Sequence, residues 1–300
     1  MSHESATVIA PYSRRMGLRL ASGELVGARI KGKRMKPVCG DSVQAQPIEN
    51  EADWLITKIR ERRNELTRPN MRGRVEVLAA NLDILVVVAS VSPLPDWYIV
   101  DRYICSAELM GAGAVVVFNK VDLLVGHDIE LPELRDYRDI GLPVLECSAK
   151  TGQSVDKLRE LLSGSCAIVV GQSGVGKSSL INQLVADSKL RTAEISSKTG
   201  EGRHTTVNSV MISLQGGGAV IDSPGVRDYA PALSTSRDAA LGFREIAAAA
   251  ASCRFANCRH LREPGCAVKQ AVENEMISYR RYESFKRVVN LTEKLSEGRY

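Results

Sequence analysis

The chain has 300 residues, 44% of them hydrophobic and 25% charged, and a formal net charge of +5. That length predicts two or three domains with real cores, and the composition excludes a disordered or fibrous chain. No apolar run approaches the ~20 residues of a membrane span and residues 1–15 lack the apolar stretch of a signal peptide, so a cytoplasmic protein without membrane attachment is expected. The mild positive charge is compatible with a polyanionic partner without demanding one. Seven cysteines in such a compartment argue against a disulfide framework. Cys39, Cys105, Cys147 and Cys166 are scattered and read as small apolar residues, whereas the other three cluster near the C-terminus.

Residues 1–72 read as short strands, at 17–20, 25–30, 41–46 and 54–59, separated by tight turns at Ser22, Gly23 and at Cys39, Gly40, Asp41. This texture predicts a small β-barrel. Basic residues are dense across it: Arg14, Arg15, Arg19, Arg29, Lys31, Lys33, Arg34, Lys36, Lys58, Arg60, Arg62, Arg63 and Arg68. They suit either a solvated charged surface or contact with nucleic-acid phosphate. No dense aromatic platform for base stacking accompanies them.

From Val75 the texture changes, and residues 73–232 read as an α/β domain. Residues 82–89, apolar except for Asp83 and rich in β-branched side chains, form a run of the kind found in buried parallel strands, and 99–110 carry apolar residues at helical spacing. A second buried strand, 114–118, runs into Asn119, Lys120, Val121 and Asp122, the Asn-Lys-x-Asp pattern that reads guanine. The Asp122 carboxylate can accept two hydrogen bonds, from the guanine N1–H and the exocyclic amine, and adenine offers no such pair. Asn119 is placed to bridge base and phosphate loop, and the Lys120 stem to pack on the ring. A short strand at 144–147 ends in Ser148, Ala149 and Lys150, which suit support of guanine O6 through a backbone N–H. A helix at 155–162 follows.

Residues 167–170 then read as a buried strand that turns through Gly171, Gln172, Ser173, Gly174, Val175 and Gly176 into a helix opening with Lys177, Ser178 and Ser179. This is a complete phosphate loop, Gly-x-x-x-x-Gly-Lys-Ser. Its glycines let backbone N–H groups surround phosphate oxygens, and the helix N-terminus adds partial positive charge. Lys177 is the candidate for the β- and γ-phosphates and Ser178 for Mg²⁺. The stretch from Gly200 through Arg203, His204, Thr205 and Thr206 reads as a switch loop; either threonine could bind Mg²⁺ and the γ-phosphate. A hairpin over 207–221 delivers Asp222, for Mg²⁺ through water, and Gly225, whose N–H suits the γ-phosphate. All five elements are present in rotated order, with the guanine-reading pair ahead of the phosphate loop. Such rotation is tolerated where the original termini lie close together.

Residues 233–300 carry Cys253, Cys258, His260 and Cys266, spaced C-x₄-C-x-H-x₅-C. Three thiolates and an imidazole complete a tetrahedral structural zinc site with no open position for catalysis. Residues 267–295 read as one or two amphipathic helices, whose Lys269, Arg280, Arg281, Lys286, Arg287 and Lys294 suit RNA phosphate or a solvated face equally.

Taken together, the permuted motif order and the cysteine–histidine cluster resemble the RsgA/YjeQ family of small-ribosomal-subunit-dependent, circularly permuted GTPases, over nearly the whole chain. The resemblance implies a multi-domain chain: an N-terminal OB-fold barrel that binds RNA, a central α/β P-loop GTPase domain, and a mainly helical zinc-binding domain. It implies hydrolysis of GTP to GDP and phosphate, stimulated by the small ribosomal subunit and its rRNA, with a role in late subunit maturation, one structural Zn²⁺, Mg²⁺ with GTP, and a monomer without membrane partners. An alternative is a nucleotide-gated RNA-binding assembly factor with negligible catalysis of its own. Where Ras-like enzymes carry a water-orienting glutamine after Asp-x-x-Gly, this chain has Val226. Slow intrinsic turnover follows, completed by a partner that brings His204 to the water; Arg203 and Arg227 are the charge-stabilising alternatives.

Overall fold

The computed structural model describes residues 3–12, 15–32, 34–69, 74–124, 131–185, 209–222, 229–231, 233, 235 and 238–297. Strands β1 (Glu4–Pro11), β2 (Met16–Leu20), β3 (Leu25–Ile30), β4 (Ser42–Pro47) and β5 (Trp54–Ile59) close into a barrel in the order β1-β2-β3-β5-β4. Period-two alternation sends Val8, Leu18, Ala28, Val43, Ala45 and Ile56 into its interior, where all are buried. The expected barrel is present. Its first strand was not legible in the sequence, because its Ala, Thr and Ser positions dilute the alternation.

A hairpin of β6 (Glu65–Pro69) and β7 (Val75–Ala80) leads from the barrel toward the central sheet. The barrel meets β7 at Gly40, whose φ is +93° and whose missing Cβ would lie 2.1 Å from the Ala80 carbonyl oxygen. The Ala80 N–H donates to the Cys39 carbonyl at 3.0 Å and the Asn81 side chain to the Gly40 carbonyl at 2.9 Å. Only glycine permits both this backbone conformation and this approach.

The central sheet has the order β10-β9-β8-β11-β13-β12, from β8 (Ile84–Ser90), β9 (Gly113–Asn119), β10 (Val144–Glu146), β11 (Cys166–Gly171), β12 (Val210–Ser213) and β13 (Ala219–Asp222). Every pairing is parallel except β12 with β13. The strands read as unbroken apolar runs because both faces are covered. Leu85, Val87 and Ala89 join the core with α1 (Trp97–Met110) and α2 (Pro132–Asp139). Val86 and Val88 join the core with α3 (Val155–Leu161) and α4 (Lys177–Val185). Helix α1 starts at Asp96, whose carboxylate accepts from the Tyr98 N–H, and ends at Gly111 in the left-handed conformation.

The C-terminal region consists of α5 (Asp238–Leu241), α6 (Arg244–Ala250), α7 (Ala267–Glu273) and α8 (Tyr279–Glu297). The stretch expected as one or two helices is thus two. Phe243, Ile246, Val268, Phe285 and Val288 form a core that also takes in Cys105 of α1. Gly242 packs so closely that a Cβ there would sit 2.2 Å from the Cys105 sulfur.

Two of the expected phosphate-facing cations are held in internal ion pairs instead, one buried and one half-buried. Arg281 is 1% exposed and pairs with Asp101 and Glu245; Arg280 pairs with Asp101 and Asp136. Helical periodicity shows a polar face but not the acid on another helix 180 residues away that neutralises it. Lys286 pairs with Glu283, and the Arg287 guanidinium stacks over the Tyr98 ring. Cys39, Cys105 and Cys147 are buried, as expected of cysteines used as apolar residues, and Cys166 is half-buried. Among the described residues no helix is long and apolar enough to cross a membrane.

The Gly40 joint yields a stability prediction. Gly40→Ala forces a Cβ into the Ala80 carbonyl from a left-handed backbone, and should cost about 3 kcal/mol. The expected result is a clear drop in the urea midpoint; an unchanged midpoint would show that the barrel does not rest on β7 in this way.

Candidate nucleotide site and metal centre

The parallel strands deliver their functional loops to one edge of the sheet, as open α/β sheets do at their carboxyl ends. Asn119 ends β9, the Ser148 loop follows β10, the phosphate loop follows β11 and Asp222 ends β13. Because β8 lies between β9 and β11, the base-reading and phosphate-reading loops come from strands two apart.

The phosphate loop needs its glycines for stated reasons. Gly171 has φ +135° and a Cβ there would meet the Val88 carbonyl oxygen at 2.2 Å; Gly176 has φ +92° and a Cβ there would meet the Asn119 amide nitrogen at 2.4 Å. The loop is also braced by the chain between β8 and α1. The Asp96 N–H donates to Gln172 Oε1 at 2.9 Å, and Lys120 Nζ donates to the carbonyls of Ser92 (2.5 Å) and Gly174 (2.6 Å). Lys177, 8% exposed, donates to the carbonyls of Gly171 (2.9 Å) and Gln172 (2.6 Å). Its head is therefore held in the loop by neutral acceptors that phosphate oxygens can replace with charge. Burial lowers the Lys177 pKa, with Asp222 opposing; burial raises the Asp222 pKa, with Lys177 opposing. Ser173, Ser178 and Ser179 are exposed at the mouth, and Val175 is buried beneath the loop.

On the base side, Asn119 is 1% exposed. Its Nδ2 donates to the Val175 carbonyl at 2.9 Å and its Oδ1 accepts from the Ala149 N–H at 3.0 Å. Lys120 has φ +64°, which turns the chain so that Val121 and Asp122 enter a short 3₁₀ turn (Val121–Leu123). Asp122 Oδ1 accepts from Ser148 Oγ at 2.6 Å, the same oxygen that accepts from the Thr151 N–H at 3.1 Å. Lys150 Nζ lies 3.8 Å from Asp122 Oδ2. A cleft of about 560 Å³ opens over these groups, lined by Asn119, Lys120, Asp122, Leu123, Ala149, Lys150, Gly176, Ser179, Asn182 and Gln183. Leu123, Asn182 and Gln183 carry no motif that singles them out in the sequence. For the latter two, helical spacing from Ser179 is the signal that could have found them.

His204, Thr205 and Thr206 lie outside the described residues, as do Gly225, Val226, Arg203 and Arg227. The structure brings together the remaining nucleotide-site residues: Asn119 to Asp122, Ser148 to Lys150, Gly171 to Ser179, and Asp222.

At the far end of the chain the donor atoms of Cys253, Cys258, His260 and Cys266 all lie within 4.8 Å of one another. Cys253 Sγ is 3.9 Å from Cys266 Sγ and 3.4 Å from His260 Nδ1, which is 3.6 Å from Cys266 Sγ. A tetrahedral ion bound through sulfur at about 2.3 Å sets S···S edges of about 3.8 Å, so the cluster fits one metal ion. His260 is held at φ +60° with its carbonyl accepting from Tyr282 Oη at 2.6 Å. Burial lowers the His260 pKa, which favours the neutral imidazole that a metal requires.

Six of the basic residues named for this region have side-chain partners. Arg15 and Arg29 pair with Asp53, Arg62 with Asp41, Arg63 with Asp83 and Arg68 with Glu76, while Arg19 donates to Ser213 Oγ of β12 at 2.5 Å. Lys31, Arg34, Lys36, Lys58 and Arg60 are exposed. Lys33 and Arg14 lie outside the described residues.

A family model described as RsgA GTPase matches residues 59–231. A protein of Actinobacillus succinogenes named small ribosomal subunit biogenesis GTPase RsgA is 35% identical over 99% of this chain and 87% of its own length. One of the same name from Ectopseudomonas mendocina is 36% identical over 95% of this chain and 85% of its own. Among solved structures, YjeQ from Thermotoga maritima superposes with a TM-score of 0.75 at 29% identity, covering 97% of this chain and 99% of that one. YloQ, described as a circularly permuted GTPase, gives a TM-score of 0.73 at 25% identity over 98% and 96% of the two chains.

The Gly176–Asn119 packing can be tested by substitution. Gly176→Ala displaces the Asn119 amide and should weaken guanine-nucleotide binding about tenfold or more, the worth of a buried hydrogen bond lost. Gly164→Ala is the control, since Gly164 has φ +71° with nothing within 4 Å of where a Cβ would sit. It should cost stability only. Equal affinities for both variants in a fluorescence titration would contradict the packing argument.

Proposed function

Because the chain belongs to the RsgA GTPase family, we propose that it binds GTP in the cleft over Asn119 and Asp122, hydrolyses it to GDP and phosphate, and does so on the small ribosomal subunit during its late maturation. The observation that carries this reading is the double hydrogen bond of Asn119 to Val175 and Ala149, which joins a base-reading edge to a phosphate loop in one cleft. In it Asp122 accepts from the guanine N1–H and amine, the 148–150 loop offers a backbone N–H to O6, and the Lys120 stem lies along the ring. The N–H groups from Gly171 to Ser179 surround the phosphates, and Lys177 exchanges its carbonyl partners for β- and γ-oxygens.

Ser178, Asp222 and one of Thr205 and Thr206 would hold Mg²⁺, which neutralises charge on the transferred phosphoryl group. The Gly225 N–H serves the γ-phosphate. Val226 cannot orient water, so His204 does so once the subunit's rRNA is engaged. The cysteine–histidine cluster holds one structural Zn²⁺. The exposed cations Lys31, Arg34, Lys36, Lys58 and Arg60 supply the barrel's phosphate contacts with rRNA. The working divisions are 1–72, 73–232 and 233–300, with the β6–β7 hairpin across the first boundary, in a cytoplasmic monomer.

The reading is checked by GTP turnover with and without purified small subunits. Subunits should raise turnover about 10²-fold, and His204→Ala should remove about as much of the stimulated rate. Unstimulated turnover would favour the alternative, a nucleotide-gated assembly factor. Full stimulation in His204→Ala would leave the GTPase standing and transfer the water-orienting role to another group.

A further inference from the structure

Helix α1 makes three polar attachments at once. Its N-terminus holds the phosphate loop through the Asp96 N–H and Gln172 Oε1. One side of its middle grips Tyr229, the first residue described after Asp222 and the one that begins the passage into the C-terminal region. Arg102 donates to the Tyr229 carbonyl at 3.0 Å, the Tyr229 hydroxyl donates to Ser106 Oγ at 2.6 Å, and the Tyr103 and Tyr229 rings stack at 4.1 Å.

The third attachment centres on Asp101, which is 0% exposed. It accepts from Arg281 Nη1 at 2.7 Å, Arg280 Nη1 at 2.8 Å, Tyr137 Oη at 2.7 Å and Ser284 Oγ. Three of those four donors belong to α8. The next residue along α8, Tyr282, bonds the carbonyl of the metal-cluster residue His260. From phosphate loop to metal cluster the path is Gln172, Asp96, Asp101, Arg281, Tyr282, His260: hydrogen bonds joined by two short helical spans.

We propose that α1 couples the metal cluster energetically to nucleotide binding, with Asp101 as the positioning residue through which the coupling passes. The inference rests on the GTP-binding reading and adds a regulation to it. Without the metal, the loop that carries His260 loses its fixed geometry and Tyr282 its anchor. The start of α8 is then free to shift, and Arg280 and Arg281 move with it. Asp101 is a buried carboxylate and cannot keep its place when its donors leave. The helix that carries it also sets the brace on Gln172 and the seat of Tyr229, so the phosphate loop loses preorganisation and affinity falls. By linkage, bound nucleotide must retain the metal by the same factor.

The test uses the full, metal-loaded chain and a fluorescent non-hydrolysable GTP analogue, titrated before and after stripping with a chelator selective for transition metals over Mg²⁺. In the wild type, stripping should raise the analogue Kd about fivefold or more. In Asp101→Asn the clamp is already broken, so the metal-loaded Kd should rise toward that of the stripped wild type and the further shift on stripping should fall below about twofold. Should Asp101→Asn fail to fold, Tyr282→Phe removes only the hydroxyl on the His260 carbonyl and should suppress the shift equally. An unchanged Kd on stripping the wild type, or a full shift in a folded Asp101→Asn or Tyr282→Phe, would overturn the proposal while leaving GTP binding intact. Failure of the analogue to bind the metal-loaded wild type would contradict both readings.

Discussion

The carboxamide of Asn119 spans the seam between the two halves of the cleft, donating to the Val175 carbonyl in the phosphate loop and accepting from the Ala149 N–H in the loop after β10. Those partners lie 56 and 30 residues further along the chain. Both bonds are buried, so neither water nor a mobile side chain can stand in for them, and leaving either group unpaired is costly. Rotating the order of the motifs does not disturb this seam, because strand position in the sheet, not chain order, decides which loops meet. What rotation does change is the exit. The chain leaves β13 at Asp222 and within a few residues reaches Tyr229, buried against α1, rather than returning to a base-reading half.

The nucleotide loops were legible in the sequence because each is a local pattern. A β-branched run ending in Asn-Lys-Val-Asp, or one turning through three glycines into Lys-Ser, states both its backbone and its chemistry within a dozen residues or so. The cysteine–histidine cluster that could hold a metal was legible for the same reason, its four donors falling within one short stretch. The relations between distant segments were not legible. Nothing near Arg281 announces that its counter-charge is Asp101, nor does anything near Arg19 announce Ser213. The sequence presents these arginines as surface cations suited to RNA. A buried ion pair is visible only when both partners are placed, and the partner lies on a different element of the fold.

This distinction redraws the charge map. Counting cations over the barrel suggests a broad polyanion surface, yet Asp41 and Asp53, both buried, hold Arg62, Arg15 and Arg29 as part of the barrel's own architecture. Lys31, Arg34, Lys36, Lys58 and Arg60, all exposed, gather instead on the connector between β3 and β4 and around the end of β5. The proposed phosphate-facing role thus narrows from a whole domain to one part of its surface, while Arg280 and Arg281 become internal ties between α8 and the nucleotide-binding region.

The central claim is that guanine is read by a single carboxylate fixed in place by Ser148, beside a phosphate loop locked to it through Asn119. Calorimetric titration of the full chain with GDP, IDP and ADP addresses it most directly. Inosine keeps the N1–H and lacks the exocyclic amine, so IDP should bind about tenfold or more weaker than GDP, the worth of one hydrogen bond to a charged acceptor. ADP, which offers Asp122 no donor pair, should not compete. Equal affinity for GDP and ADP would contradict the account at its base.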